Sequence, residues 1–232
     1  MKPQSETLKR AAAAYALAMV GDGMTVGLGT GSTAEQFLEL LAARVRDGLK
    51  VIGAATSERS ARIAGALGIP VAPLDAIAPL DITVDGADEA DRDRNLVKGG
   101  GGALLREKLV AASSRKMVAI MDEIKLVARL GRFPLPVEVV EFGHAGTALR
   151  LARAAAEIGY PDIAVKLRAK DGVPFRTDCG NVIYDCRFGA ITDIPALASA
   201  LSSVTGVVEH GLFSGLTTAC VVARREGIEC LE

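Results

Sequence analysis

The chain has 232 residues, which at roughly 150 residues per domain is enough for one large domain or for one with a smaller partner. A net charge of -1, scattered Lys and Arg, and 4% aromatic residues give neither a field to attract nucleic acid nor rings to stack it, so no nucleic-acid partner is expected. Charges break every apolar run short of the roughly 18 residues of a membrane span, and the opening Met1-Lys2-Pro3-Gln4-Ser5-Glu6 lacks a signal-like apolar core, so a soluble, cytoplasmic chain with no membrane partner is expected.

In chain order, Leu8, Ala12, Tyr15 and Met19 share one face of a helix over 5–19, with Ser5 as its N-cap. Lys9 on this helix reads as a solvated surface lysine. Met24-Thr25-Val26-Gly27-Leu28 is a short apolar strand that runs into Gly29-Thr30-Gly31-Ser32-Thr33 and a helix over 34–46. Strand, glycine-hydroxyl loop and helix make an anion cradle: glycines allow close backbone approach, hydroxyls donate, and the helix N-terminus favours negative charge. The loop has no Gly-Lys-Ser/Thr of a P-loop, and Ala34 stands where a dinucleotide fingerprint needs its third glycine. A tight turn with Ser32 or Thr33 as N-cap is the plainer alternative.

A second strand covers 50–55, and Ser57 caps a helix that runs to Leu67. Gly68-Ile69-Pro70-Val71 begins another strand, and Leu80-Asp81-Ile82-Thr83-Val84 carries the chain to Asp85-Gly86-Ala87-Asp88-Glu89. After a short polar link come Lys98-Gly99-Gly100-Gly101-Gly102 and a helix with Glu107 about one turn in. Residues 115–121 form a further buried strand, and 122–130 a loop or helical turn containing Lys125. Strands alternating with helices argue an α/β layer with a mostly parallel sheet, whose polar clusters fall at the carboxyl edge where such sheets bind ligands. Beyond Arg132 the texture changes to a proline-marked strand over 133–140 and a helix over 145–158. Antiparallel strands over 164–168 and 181–185 then turn at Asp171-Gly172, before a helix opened by Asp193-Ile194-Pro195. This is a small split α+β unit, which the last strands, 207–212 and 219–223, either complete or leave for the first layer.

Cys179, Cys186, Cys220 and Cys230 form no Cys-x-x-Cys pair, and only His144 and His210 accompany them, so reduced thiols and no metal site are expected. Proton chemistry is left to carboxylates and lysines. Acids where a strand must stop, a lysine and the bare N–H groups of four glycines suit a bound anion better than a divalent metal. The simpler readings are a plain turn at Asp85-Gly86 and a solvated Glu107 paired with Arg106 or Lys108. Together the parts suit proton transfer beside a carbonyl: a carboxylate takes a carbon-bound proton, a lysine and N–H donors stabilise the enediolate, and a separate loop holds a phosphate.

Four stretches carry a resemblance: Gly29-Thr30-Gly31-Ser32-Thr33, Asp85-Gly86-Ala87-Asp88-Glu89, Lys98-Gly99-Gly100-Gly101-Gly102-Ala103-Leu104 with Arg106-Glu107-Lys108, and Gly131-Arg132-Phe133-Pro134-Leu135-Pro136-Val137-Glu138-Val139. In order and spacing they are similar to the type A ribose-5-phosphate isomerase family over nearly the whole chain. The resemblance implies interconversion of D-ribose 5-phosphate and D-ribulose 5-phosphate in the pentose phosphate pathway, with no metal or organic cofactor. It makes Glu107 the base, gives ring opening and the oxyanion to Asp85, Asp88 and Lys98, and lines the substrate with Thr30, Gly31, Ser32, Thr33, Gly86, Ala87, Gly99, Gly100 and Gly101. It also raises Lys9 and Lys125 to phosphate ligands. The implied fold is a Rossmann-like, mostly parallel sheet layer (1–130 and 206–232) with an inserted α+β, ferredoxin-like domain (131–205) used in contacts of a homodimer or homotetramer. Departures fall in the second half, at Glu141, Cys179 and 214–219, and bear on the small domain rather than the chemistry. The alternative is a sugar-phosphate sensor domain, or another sugar-phosphate enzyme of related fold.

Overall fold

The computed structural model describes residues 2–232, so Met1, counted above with the first domain, lies outside the described residues. Helix α1 (Lys2–Leu17) leads to β1 (Thr25–Leu28), α2 (Ser32–Arg46), β2 (Ile52–Ala55) and α3 (Glu58–Ala66). A single turn, α4 (Leu74–Ile77), precedes β3 (Ile82–Gly86), the short strands β4 (Glu89–Ala90) and β5 (Leu96–Val97), α5 (Leu104–Ala112) and β6 (Met117–Asp122). There follow β7 (Leu135–Val139), α6 (His144–Glu157), β8 (Ala164–Leu167), β9 (Ala169–Lys170), β10 (Val173–Pro174), β11 (Val182–Arg187) and α7 (Ile194–Ser202). The chain ends with β12 (Val207–His210), β13 (Leu212–Phe213), β14 (Ala219–Arg224) and β15 (Gly227–Leu231). Among the described residues no helix is long and apolar enough to cross a membrane.

The large sheet runs β15-β14-β6-β3-β1-β2, parallel at every pairing except the closing hairpin of β14 and β15. This is the α/β layer expected from the alternation of strands and helices. Its strands are apolar along their length because both faces are covered, and all six residues of β6 are buried. On one face Phe37, Leu38 and Leu41, at helical spacing on α2, pack with Ala12 and Ala16 of α1 against Val26, Leu28, Val84 and Ile120. On the other, Met117 and Met121 meet Leu96 and Phe213. The parallel register sets Leu28 beside Val84 and Asp85 beside Ala119, so the carboxyl ends of β1, β3 and β6 form one edge.

A second, antiparallel sheet runs β12-β7-β11-β8, and α6 and α7 cover it through Leu151, Leu197 and Leu201 against Val137, Val139 and Tyr184. The chain order β7-α6-β8-β11-α7-β12 is the split βαβ arrangement, and its fourth strand is β12. The boundary expected at 206 therefore cuts the wrong bond: 207–210 belong to the second sheet, because without β12 the strand β7 would be an unpaired edge. Both readings of the last strands hold in part, since β12 completes the second sheet while β14 returns to the first.

Other expectations need correction. Helix α1 begins before Ser5, whose hydroxyl donates to Asp122 Oδ2 at 3.0 Å instead of capping. The strand expected from Gly68 shrinks to one bridge between Gly53 and Val71, because prolines at 70 and 73 remove the N–H groups a ladder needs. Asp171 and Gly172, at φ 53° and 79°, turn a separate ribbon of β9 and β10, while β8 pairs with β11 directly. The polar link after Glu89 holds β4 and β5, which with β13 make a three-stranded sheet between the other two.

Gly211 is the joint of these sheets. It donates its N–H to Pro136 O and accepts from Lys98 N, each at 2.8 Å. A Cβ on Gly211 would lie 2.2 Å from Lys98 O, a backbone atom that cannot turn aside. Gly211→Ala should therefore lower unfolding free energy by about 2 kcal/mol or more, the upper part of the usual overpacking range. Urea denaturation is the measurement, and an unchanged midpoint would contradict the packing described.

Candidate active site

At the end of β1 the chain turns through Gly31, whose φ of 104° makes it the N-cap of α2, and no side chain caps the helix. Ser32 and Thr33, expected as possible caps, begin the helix instead, so their hydroxyls are not spent on it. Lys9 of α1 reaches over and donates to Ser32 Oγ at 3.0 Å. The Thr30 hydroxyl is held by Thr56, Ser57 and Ser60 at 2.7, 2.8 and 3.0 Å, and its N–H goes to Asp85 Oδ1 at 2.9 Å. Ser57 caps α3 as expected, accepting from Ser60 N.

Asp85, near the end of β3, is wholly buried. Besides Thr30, Gly86 N donates to its Oδ1 at 2.7 Å, and Lys98 Nζ stands 2.9 Å from Oδ2. Lys98 follows β5, donates to Gly86 O at 2.6 Å and lies 3.6 Å from Glu107 Oε2. Glu107 is 3% exposed, and at 3.6 Å Lys98 serves its Oε2 mainly as a charge. The helical neighbours do not compete for it. Lys108 is taken by Glu209 Oε1 and His210 O at 2.6 and 2.7 Å, and Arg106 by Asp178 O at 3.0 Å. The surface pairing of Glu107 with Arg106 or Lys108 is thereby replaced by a buried one with Lys98.

These surroundings move protons. Burial raises the Glu107 carboxyl to about 8 against the pull of Lys98, with Asp85 and Asp88 adding to the rise. Burial works against the Lys98 ammonium, yet Asp85 and Glu107 outweigh it and hold its pKa above the ordinary value. Asp88 faces the opening half-buried and accepts from Gly100 N at 2.7 Å. The third acid of that motif, Glu89, turns away and accepts from Gly131 N and Phe133 N, each at 2.8 Å, locking the entry to β7. His210 is buried and pushed down to about 4 by burial and by Lys108, so its imidazole is uncharged at neutral pH. His144 opens α6, which covers the second sheet, and is bonded there to the Tyr184 hydroxyl of β11.

One cleft of about 180 Å³ collects Thr30, Gly31, Ser32, Thr33, Gly86, Ala87, Asp88, Lys98, Gly99, Gly100, Gly101, Glu107, Lys9 and Lys125. Of the residues singled out from sequence, only Asp85 is not on its wall; it sits behind, in contact through Lys98. The cleft also holds Asp122, which the sequence reading missed. Asp122 ends β6 as Asp85 stands next to last in β3, and an acid at the carboxyl end of a parallel strand is the signal that could have found it. Lys125 follows in a turn, 5.9 Å from the centre of the Phe133 ring.

The family described as Ribose 5-phosphate isomerase A (phosphoriboisomerase A) matches residues 52–227. Ribose-5-phosphate isomerase A of Nitrobacter hamburgensis is 54% identical over 98% of this chain and 98% of its own. Among solved structures, ribose 5-phosphate isomerase from Plasmodium falciparum superposes with a TM-score of 0.93 at 36% identity, covering 98% of both chains. A D-ribose-5-phosphate isomerase in complex with phospho-erythronic acid superposes with a TM-score of 0.90 at 33% identity, covering 98% of this chain and 99% of that one.

Because the folded state holds the Glu107 proton more tightly than the unfolded chain does, the stability it lends is full below its ordinary 4.5 and is lost as pH rises through about 8. Lys98, raised in the fold, lends stability that is lost only above its ordinary 10.5, outside that window. Glu107→Gln cannot titrate. Its stability relative to the unaltered protein should therefore improve between pH 4.5 and 8 and level off above. Denaturation of both proteins across this range is the check, and a difference that does not change with pH would refute it.

Proposed function

The chain belongs to the ribose 5-phosphate isomerase A family, and on that premise we propose how its cleft carries out the aldose–ketose isomerisation of D-ribose 5-phosphate and D-ribulose 5-phosphate. The observation that carries the reading is Glu107: a buried carboxyl raised to about 8, one oxygen without a donor, on the wall of a cleft that also holds a buried ammonium. A base is most effective when its pKa lies near the working pH.

In the proposed reaction the phosphate lies at Gly31, Ser32 and Thr33 with Lys9 and Lys125, and the sugar reaches down to Glu107. After ring opening, Glu107 removes the proton on C2 of the aldehyde. The electrons move to O1, and the resulting enediolate is met by Lys98 and by N–H groups of the Gly99–Gly101 loop. Asp88 passes a proton between O2 and O1, and Glu107 returns its proton to C1, so every atom is retained and the product is the ketose. Asp85, off the cleft wall, acts by holding Lys98 in place. Phospho-erythronic acid, bound by a relative, joins a phosphate to a carboxylate whose two oxygens and charge resemble those of an enediolate, which supports a sugar phosphate as the ligand of this cleft. The high identity to isomerases along the whole chain favours this reading over a sensor domain. We place the reaction in the cytoplasm, in the pentose phosphate pathway. The exposed Phe142 and Leu149 of the second sheet's side support a homodimer or homotetramer.

Ribose 5-phosphate supplied with EDTA should be converted to ribulose 5-phosphate; a folded protein without turnover would overturn the proposal. Glu107→Gln should bind substrate but lose at least about 10²-fold in kcat, and near-normal turnover would remove Glu107 as base. Ser32→Ala and Lys125→Ala should each raise KM with little change in kcat, because they touch the end of the substrate that does not react. An unchanged KM in both would move the phosphate elsewhere.

A further inference from the structure

Arg168 belongs to the second sheet, yet its guanidinium ends on the glycine loop of the cleft. It follows β8, and its backbone is tied on both sides, to Ile183 O at 2.8 Å and Phe175 N at 2.9 Å. Two of its nitrogens, Nε and Nη2, form a fork on Asp185 of β11 at 3.0 and 2.5 Å. The third, Nη1, donates to Gly99 O at 2.8 Å and Gly100 O at 3.2 Å. Asp185 balances the charge and fixes the plane, so Arg168 delivers a direction more than a charge to those two carbonyls.

In a trans peptide the C=O and N–H point to opposite sides. The Gly99–Gly100 peptide is therefore gripped at both ends: Arg168 takes the carbonyl, and the N–H goes to Asp88 Oδ2 at 2.7 Å. In the next peptide Arg168 takes Gly100 O, which turns the N–H of Gly101 away from the arginine, and both residues line the cleft. A run of four glycines has no side chain to hold it; Gly102 N–H shares Gly99 O with Arg168 at 3.0 Å, while at Gly100 O the grip comes from Arg168.

We propose that Arg168 is a positioning residue for the isomerisation. It sets the peptide planes of the Gly99–Gly101 loop, so that one N–H holds Asp88 and the next meets the enediolate. The inference rests on the reaction proposed above, in which Asp88 and this loop serve the reacting end while the phosphate is held elsewhere. Arg168 touches the loop only from behind and is not on the cleft wall.

The test is the split between kcat and KM in Arg168→Lys and Arg168→Ala, with thermal unfolding recorded for each. Lysine keeps the charge but cannot hold Asp185 with a fork and still reach both carbonyls. The expected result is a kcat lower by about 10- to 100-fold with KM within about 3-fold, the pattern of lost alignment at the reacting end. Millimolar guanidinium should restore part of the lost kcat in Arg168→Ala by filling the vacated site, and should do nothing for Glu107→Gln. Two results would overturn the inference: normal kcat in folded Arg168→Lys, or a loss shared equally by kcat and KM without guanidinium rescue. If Arg168→Ala does not fold, Arg168→Lys alone decides. Failure here with active unaltered enzyme leaves the isomerase reading standing, whereas inactive unaltered enzyme would remove that reading first.

Discussion

One ammonium shared between two buried carboxylates is the constraint on which the site depends. Asp85, Lys98 and Glu107 are 0%, 2% and 3% exposed, and withdrawing each charge from water costs several kcal/mol. A single cation cannot repay two anions. Asp85 takes the closer contact, 2.9 Å against 3.6 Å, and has two backbone N–H donors besides. Glu107 has no such donors at its Oε2, and keeps a proton to about 8. Two acids of like chemistry thus receive different properties from their surroundings, which is how one site can hold both a structural anion partner and a titrating acid.

Holding that ammonium in place requires more than the large sheet. The backbone of Lys98 hangs on Gly211, and Gly211 on Pro136 of the second sheet, so the lysine sits where two sheets meet. Phe213 lies under both Lys98 and Lys108, 5.5 and 5.1 Å from its ring centre, and closes the floor with an apolar face. Glu209 and His210 draw Lys108 away from the cleft, leaving Lys98 as the cation at Glu107. The second sheet is thereby part of the scaffold of the cleft.

Local pattern made much of this readable. The parallel sheet followed from apolar strands alternating with helices, and the loops at 29–33, 85–89 and 98–102 from glycines and acids placed where strands end, while Lys9, Lys125 and the role of Glu107 came only with the family resemblance. What stayed hidden depends on contacts between distant residues. A helical glutamate flanked by Arg106 and Lys108 reads as a surface residue until Asp178, Glu209 and His210 are seen to claim both cations. Asp122 lies in an unremarkable strand end, and its partner Ser5 is 117 residues away. The short strands β4, β5 and β13 have two residues each, too few for a period to show, and β13 joins β5 from more than a hundred residues away. Ser5 is the opposite case: by residue type a good cap, it lies inside the helix, and its hydroxyl is used in tertiary structure.

The two ends of the cleft are built for different physical tasks. Ser32 is exposed and Lys125 half-buried, so a phosphate there keeps much of its hydration and is bound through several donors, each contributing modestly. Glu107 and Lys98 lie in near-complete burial, where each charge acts strongly but cannot be tolerated without its partners. In the proposed reaction this separation lets the unreacting phosphate supply binding energy at the wet end, and that energy draws the sugar against the dry end. A phosphate placed beside Lys98 would compete with Asp85 and Glu107 for the same ammonium and, as a further negative charge, push the raised carboxyl higher still, away from a useful base. Keeping the phosphate on the loop after β1, with the base on α5 beyond β3, preserves the unequal pair of acids on which proton transfer rests.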